Sequence, residues 1–289
     1  MERIKRLKCA FAGAVAGLGL ALAIPQPVSA AGGAVEIERQ QWTFGGLFGY
    51  FDQAQLQRGF KVYYNVCASC HSMNLLYYRN LSQPGGPEFS EEQMKAIAAS
   101  VEVTAGPNDD GEMFTRPGLP TDRFKAPYEN EKAAAAANNG VAPPDLSVIA
   151  KARTIERDAA WYMFPVNLIS DLATQYQEQG PDYIYALLTG YVDPPEGFEL
   201  SSGAHYNRVY PGHQIAMPNV LSDDIVEYGD GTPQTAEQYA RDVTAFLMWA
   251  AEPKLEERKQ LGLKVIIYLI ILSLLLYLSK RALWRNIEH

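Results

Sequence analysis

Two almost unbroken apolar runs, Ala10 to Ile24 and Leu261 to Ser279, bracket a body in which short amphipathic segments alternate with long Gly- and Pro-containing connections. Within the body, Asp52-Gln53-Ala54-Gln55 reads as a helix start, an N-cap with Gln at the third helical position. Gly59, Tyr63 and Cys67 then recur at intervals of four on one face. Thr235-Ala236-Glu237-Gln238 opens a second helix, whose Val243, Phe246, Leu247 and Ala250 form an apolar face before Pro253. Ser90 to Gln93 is a further capping box, and Ala133 to Ala137 predicts a small helix ended near Asn139-Gly140. Helices are therefore expected near 52–70, 90–103, 182–189 and 235–252, with loops over 104–145 and 191–234. The pattern predicts a mainly α fold, one domain with loop excursions rather than two, and no internal repeat.

The ends carry a different message. Arg3, Lys5, Arg6 and Lys8 precede the first apolar run, and Val28-Ser29-Ala30 supplies a small-residue cleavage pattern before Ala31, so residues 1–30 read as a secretory signal peptide. An uncleaved anchor would need a longer run without prolines, and a mitochondrial presequence would be an Arg- and Ser-rich amphipathic helix. The 19 residues 261–279 would form a helix about 28 Å long, close to the hydrocarbon thickness of a bilayer. Lys264 near its start can snorkel, and Lys280, Arg281 and Arg285 hold residues 280–289 in the cytoplasm. Residues 31–260 are then an exported domain, periplasmic and tethered to a bacterial inner membrane by one transmembrane helix.

Composition narrows the function. The 289 residues carry a net charge of -8, and each end, 1–30 and 261–289, holds four basic residues against one acid, leaving -14 on 31–260. That balance argues against a nucleic-acid partner and would attract a basic protein. With 47% apolar and 20% charged residues, disorder is excluded for the body. Three cysteines are too few for a disulfide scaffold, and cleavage would remove Cys9.

The other two stand in Cys67-Ala68-Ser69-Cys70-His71, the C-x-x-C-H signature of covalent c-type haem attachment. Two thiols one helical turn apart can add to the two vinyl groups on one porphyrin edge, and the adjacent His reaches the iron from one face. A thioredoxin-type pair would open a helix after a strand in an α/β pattern, which is not visible here. Cytochrome c-type domains use such a helix, with a small residue where a C-terminal helix crosses closely; Gly59 is that candidate. A second axial ligand would make an electron carrier, whereas an open face would bind oxygen or peroxide. Met73 and Met94 follow the motif too closely, and Met248 lies on the proposed crossing helix. His205, Met113 and Met163 stay in play. Met217, 146 residues beyond His71 in a loop fixed by Pro218, is the better candidate, with His213 next. A thioether favours ferrous iron and raises the potential.

Most of the exported body resembles the cytochrome c1 family, the haem subunits of cytochrome bc1 complexes. The resemblance runs through Arg58-Gly59-Phe60, the motif with Ser72-Met73, Gly106 to Phe114, Arg116-Pro117-Gly118, Ala136 to Gly140, and Pro143-Pro144-Asp145-Leu146-Ser147. It continues through Lys151-Ala152-Arg153, Leu187 to Tyr191, Ala216-Met217-Pro218 and Phe246 to Pro253. It implies a cytochrome c-like haem domain with one haem c on Cys67 and Cys70, and His71 and Met217 as axial ligands. It further implies Arg153 near a haem propionate, where an Arg fork matches a carboxylate, with Asn138, Pro144 and Tyr183 in the haem surround. The implied partners are cytochrome b, a Rieske iron-sulfur protein and a soluble basic cytochrome c, in a dimeric complex. The chain would be an electron carrier with no catalytic site of its own. Another membrane-anchored cytochrome feeding a terminal oxidase, or a haem enzyme or gas sensor, would share the motif but not the ordered segments.

One departure stands out: Thr154 to Pro181, including Trp161, Phe164 and Pro165, has no counterpart in the compact mitochondrial form of the family. It reads as an insertion, and, without the extra cysteine pair of some bacterial members, one held by packing alone.

Overall fold

The computed structural model describes residues 37–155, 161–174 and 179–285. The expected signal peptide lies outside the described residues. Asp52 caps helix α1 (Gln53–Asn65) by accepting from the Gln55 amide at 2.9 Å. The helix ends short of residue 70. Ser69 Oγ donates to the Val66 carbonyl at 2.8 Å, competing with the helical ladder, and Cys67–Ser69 tightens into a 3-10 turn.

Ser90 and Gln93 form a reciprocal capping box at the start of α2 (Glu91–Ala99). The expected helix to 103 is cut short because Glu102–Ala105 (β1), with Val103 and Thr104 β-branched, pairs antiparallel with Phe114–Pro117 (β2). Asn130 caps α3 (Glu131–Ala137), and Asn139 and Gly140 both turn left-handed to end it, as expected.

After α4 (Ile149–Ala152) the chain makes an excursion containing α5 (Phe164–Thr174), then returns at α6 (Gly180–Leu188). A two-residue antiparallel ladder, His205–Tyr206 (β3) with Gln214–Ile215 (β4), precedes α7 (Ala236–Ala251) and the long α8 (Leu255–Trp284).

The core forms where α1 crosses α7. A Cβ on Gly59 would sit 2.1 Å from the Asp242 carbonyl oxygen and 2.7 Å from Phe246 Cβ, so only glycine permits this approach. Phe60, Tyr63, Phe124 and Phe246 then pack ring against ring at centroid distances of 5.7 to 6.1 Å. Beside them the fully buried Asp242 accepts from Arg58 Nε at 2.9 Å and from the side-chain amides of Gln55 and Gln238. The crossing is thus tied by a charged network as well as by apolar burial.

Helix α8 has 30 residues, not the 19 expected to cross the membrane, and is about 45 Å long. Its first turns belong to the body: Leu255 and Lys259 are buried, Glu256 accepts from the Phe51 amide at 2.7 Å, and Lys259 Nζ donates to the Phe44 carbonyl. From Leu261 onward most of its apolar side chains are exposed, and it is long and apolar enough to cross a membrane.

Packing holds the neck of the 154–181 insertion but not its helix. At the neck a Cβ on Gly180 would lie 1.9 Å from the Ala150 carbonyl oxygen, so the start of α6 presses directly on α4. Along α5, Phe164, Val166 and Ile169 are exposed.

Candidate haem centre

The turn after α1 gathers the motif. The amides of Cys70 and His71 both donate to the Cys67 carbonyl, at 3.1 and 2.9 Å, so two thiols and an imidazole leave one tight turn. Both cysteines are free thiols and half-buried. Burial, with the neighbouring Cys70 adding, pushes the Cys67 thiol up to about 12.

His71 Nδ1 lies 2.8 Å from the Pro144 carbonyl oxygen. A carbonyl can only accept, so Nδ1 carries the proton and the Nε2 lone pair is left for a metal. Burial lowers the imidazole pKa, only partly countered by the Pro144 carbonyl and Asp145, which keeps the ring neutral and ligand-competent.

Pro144 is in turn fixed by its neighbour. Asp145 accepts from Ser72 Oγ at 2.9 Å and from the amides of Asn74 and Ser147 at 2.8 and 2.9 Å, while the Leu146 amide donates to the Ser72 carbonyl. Burial raises the Asp145 pKa, but these donors outweigh it and hold the carboxyl below the usual range. The segment 143–147 is thereby laced to the residues following the motif.

Met217 is half-buried on the loop that follows β4. Tyr191 Oη donates to the Met217 carbonyl at 2.9 Å. The base of that loop is organised by the fully buried Asn207, which donates to the Leu187 carbonyl and accepts from the Val209 and Tyr210 amides. The competing ligands are otherwise engaged or displaced. His213 stacks on Tyr206 at 5.5 Å with Nδ1 3.3 Å from the Asn207 carbonyl. Met73, Met94 and Met248 are in the core, and Met113, Met163 and His205 are exposed.

Arg153 follows α4 at an exposed position, near enough to Tyr183 that its charge acts on a phenol whose pKa burial raises. Asn138 ends α3, donating to the Ala134 carbonyl and to Tyr128 Oη at 2.7 and 3.1 Å. Of the sequence candidates, the structure joins His71 to Pro144, lets the Arg153 charge act on Tyr183, and ties Asn138 to its own helix and to Tyr128. Sequence reasoning missed Tyr191 and Asn207 as supports of the methionine loop, and Asp145 as the clamp on Pro144. Tyr191 and Asp145 stood in segments that carried the resemblance, but their hydrogen bonds had no linear signal.

These groups fit a haem: two thiols on one edge, an imidazole with its distal nitrogen directed by Pro144, and a thioether on a braced loop. A crossing helix pair with this motif on the turn after its first helix defines a cytochrome c-like haem domain, here continued into a C-terminal apolar helix. The chain belongs to the cytochrome c1 family, whose model matches residues 42–287. It is 44% identical to cytochrome c1 of Rhodospirillum rubrum over 96% of this chain and 97% of that one. Cytochrome c1 of Blastochloris viridis is 47% identical over 91% of each chain. Cytochrome b/c1 of Bradyrhizobium diazoefficiens is 51% identical over 85% of this chain, which spans 35% of that longer protein.

Proposed function

We propose that this chain relays single electrons from a Rieske iron-sulfur protein to a soluble, basic cytochrome c. Family membership carries the coarser statement: it is a membrane-anchored haem subunit of a cytochrome bc1 complex, working in electron transport. The finer reading rests above all on His71, whose Nδ1 bond to Pro144 orients the ring as an axial ligand. A haem bound here supplies reversible one-electron chemistry at iron, accepting an electron and passing the same electron on.

The residues of the chain divide the work. Cys67 and Cys70 would hold the single haem c, His71 and Met217 would supply the protein ligands to its iron, and Arg153 would meet a propionate. Pro144 orients His71, and Asn138 lies in the haem surround. Two protein ligands would keep the coordination nearly constant between oxidation states, which would suit His71 and Met217 to electron transfer rather than to bond or proton chemistry. Residues 1–30 direct export, 31–260 form the periplasmic domain, 261–279 cross the inner membrane, and 280–289 lie in the cytoplasm. Cytochrome b is the membrane partner, in a dimeric complex.

An optical redox titration of the membrane fraction, with reduced spectra recorded with and without carbon monoxide, tests this. A low-spin c-type haem that ignores carbon monoxide is expected; ready binding to the native protein would remove the six-coordinate carrier.

A further inference from the structure

Residues 72–75 directly follow His71, residues 145–147 directly follow Pro144, and the two segments are laced to each other. Asp145 Oδ2 accepts from Ser72 Oγ at 2.9 Å and from the Asn74 amide at 2.8 Å. The Leu146 amide donates to the Ser72 carbonyl at 2.9 Å, and the Leu75 amide donates to Oγ of the fully buried Ser147 at 3.0 Å. Asp145 Oδ1 turns back to accept from the Ser147 amide at 2.9 Å, which fixes the plane of the carboxylate. The 2.8 Å bond from His71 Nδ1 to the Pro144 carbonyl is therefore held by one side chain, which neighbours Pro144 and grips the residue after His71.

The lacing does not of itself require a carboxylate. Its donors are a hydroxyl and two amides, all neutral, and the amide oxygen of an Asn could accept from them. Burial pushes the half-buried Asp145 carboxyl towards its neutral form, yet Ser147, Asn74 and Ser72 together hold it below the usual range, so it is ionised at neutral pH. That charge reaches the ring: against the burial that lowers the His71 pKa, the Pro144 carbonyl and the Asp145 charge both raise it. A negative charge beside the acceptor draws the Nδ1 proton towards Pro144 and makes Nε2 the stronger electron donor. A stronger donor and a nearby negative charge both favour ferric over ferrous iron.

We propose that Asp145 is a positioning residue for the redox chemistry of the haem: it locks the bond between His71 and Pro144 and, through its charge, lowers the reduction potential at the iron that His71 holds. The inference rests on His71 being an axial ligand in the proposed relay, and goes beyond that relay by naming the group that tunes the ligand. Asp145 acts against Met217, whose thioether raises the potential. Asn in its place would keep an acceptor for Ser72 and the amides but lose the charge, so the two effects of the side chain can be separated.

The test uses the intact complex in its membrane, with the midpoint read by optical redox titration and the axial ligand field by electron paramagnetic resonance of the oxidised haem. Asp145→Asn should raise the midpoint, so that at the unaltered protein's midpoint reduced haem exceeds oxidised by about threefold or more, with shifted but still low-spin g values. Ser72→Ala loosens the lock and keeps the charge, and should raise the midpoint by less. Asp145→Glu restores the charge and should bring the midpoint back towards the original. An unchanged or lowered midpoint in Asp145→Asn overturns the proposal, as does an Asp145→Glu midpoint no closer to the original than that of Asp145→Asn. Where Asp145→Asn does not assemble, an unmoved midpoint in Ser72→Ala overturns it. A high-spin oxidised haem in the unaltered complex would instead remove the ligand reading itself, before any variant is compared, so the two failures are distinguishable.

Discussion

His71 has one ring proton to place, and the Pro144 carbonyl decides where it goes. That single bond fixes the imidazole tautomer and leaves Nε2 unprotonated, and the Asp145 clamp holds the neighbouring segment in place. Asp145 titrates below the usual carboxylate range when folded, so its stabilisation is present above about pH 4 and is lost as pH falls through the depressed folded value. Asp145→Asn should therefore lower stability at neutral pH and flatten the acid limb of unfolding followed by circular dichroism; an unchanged acid limb would mean the clamp contributes nothing. With Met217 as the proposed second ligand, Met217→Leu should lower the haem potential by on the order of 100 mV or more, within the roughly 0.8 V that axial ligands command. A potentiometric titration reads this, and an unaltered midpoint would move the ligand elsewhere. Tyr191→Phe deletes one hydrogen bond to the methionine loop and should cost about 1 kcal/mol in denaturant unfolding without displacing the ligand.

The elements were legible where their ends are signalled locally. Asp52, Ser90 and Thr235 all accept from backbone amides in the first turns of their helices, because capping is chemistry within four residues. Gly59 was legible as a close-crossing site for a similar reason, since a lone glycine on an apolar helical face has few other uses. Gly59→Val should cost at least about 1–3 kcal/mol in chemical denaturation, because the nearest obstruction is backbone, which cannot step aside as a side chain could. The β1–β2 and β3–β4 pairs escaped sequence reading: each strand is four residues or fewer, too short for alternation to register. The insertion was visible as a departure, yet its pattern does not state whether its apolar face meets protein or lipid.

At the scale of the whole molecule, charge and anchoring divide the chain. Residues 31–260 carry -14 while the two ends are basic, so in the proposed relay the body would draw a cationic electron carrier and the basic tail would orient the membrane segment. The second-order rate of electron transfer to a basic soluble cytochrome c should fall steeply as ionic strength rises, because the Debye length shrinks from about 10 Å at 0.1 M to about 3 Å at 1 M. Stopped-flow reduction measured across that range checks it; a rate indifferent to salt would rule out electrostatic steering. The body and the anchor share α8, whose first turns are buried in the haem domain, so movement at the root of the helix is coupled to Phe44 and Phe51.

The linear chain by itself determined what depends on neighbours a few residues apart: the haem-attachment turn, the helix caps, the apolar anchor and its basic flank. Those features act through local spacing, and no fold is needed to read them. Tertiary structure decided what depends on partners brought from afar. His71 meets Pro144 across 73 residues, and Tyr191 meets Met217 across 26. A backbone carbonyl carries no side-chain identity, so nothing in the sequence marks it as the acceptor that aims an imidazole or braces a methionine. The exposed face of α5 belongs to the same category, because burial is a property of the packed chain rather than of the residues that offer it.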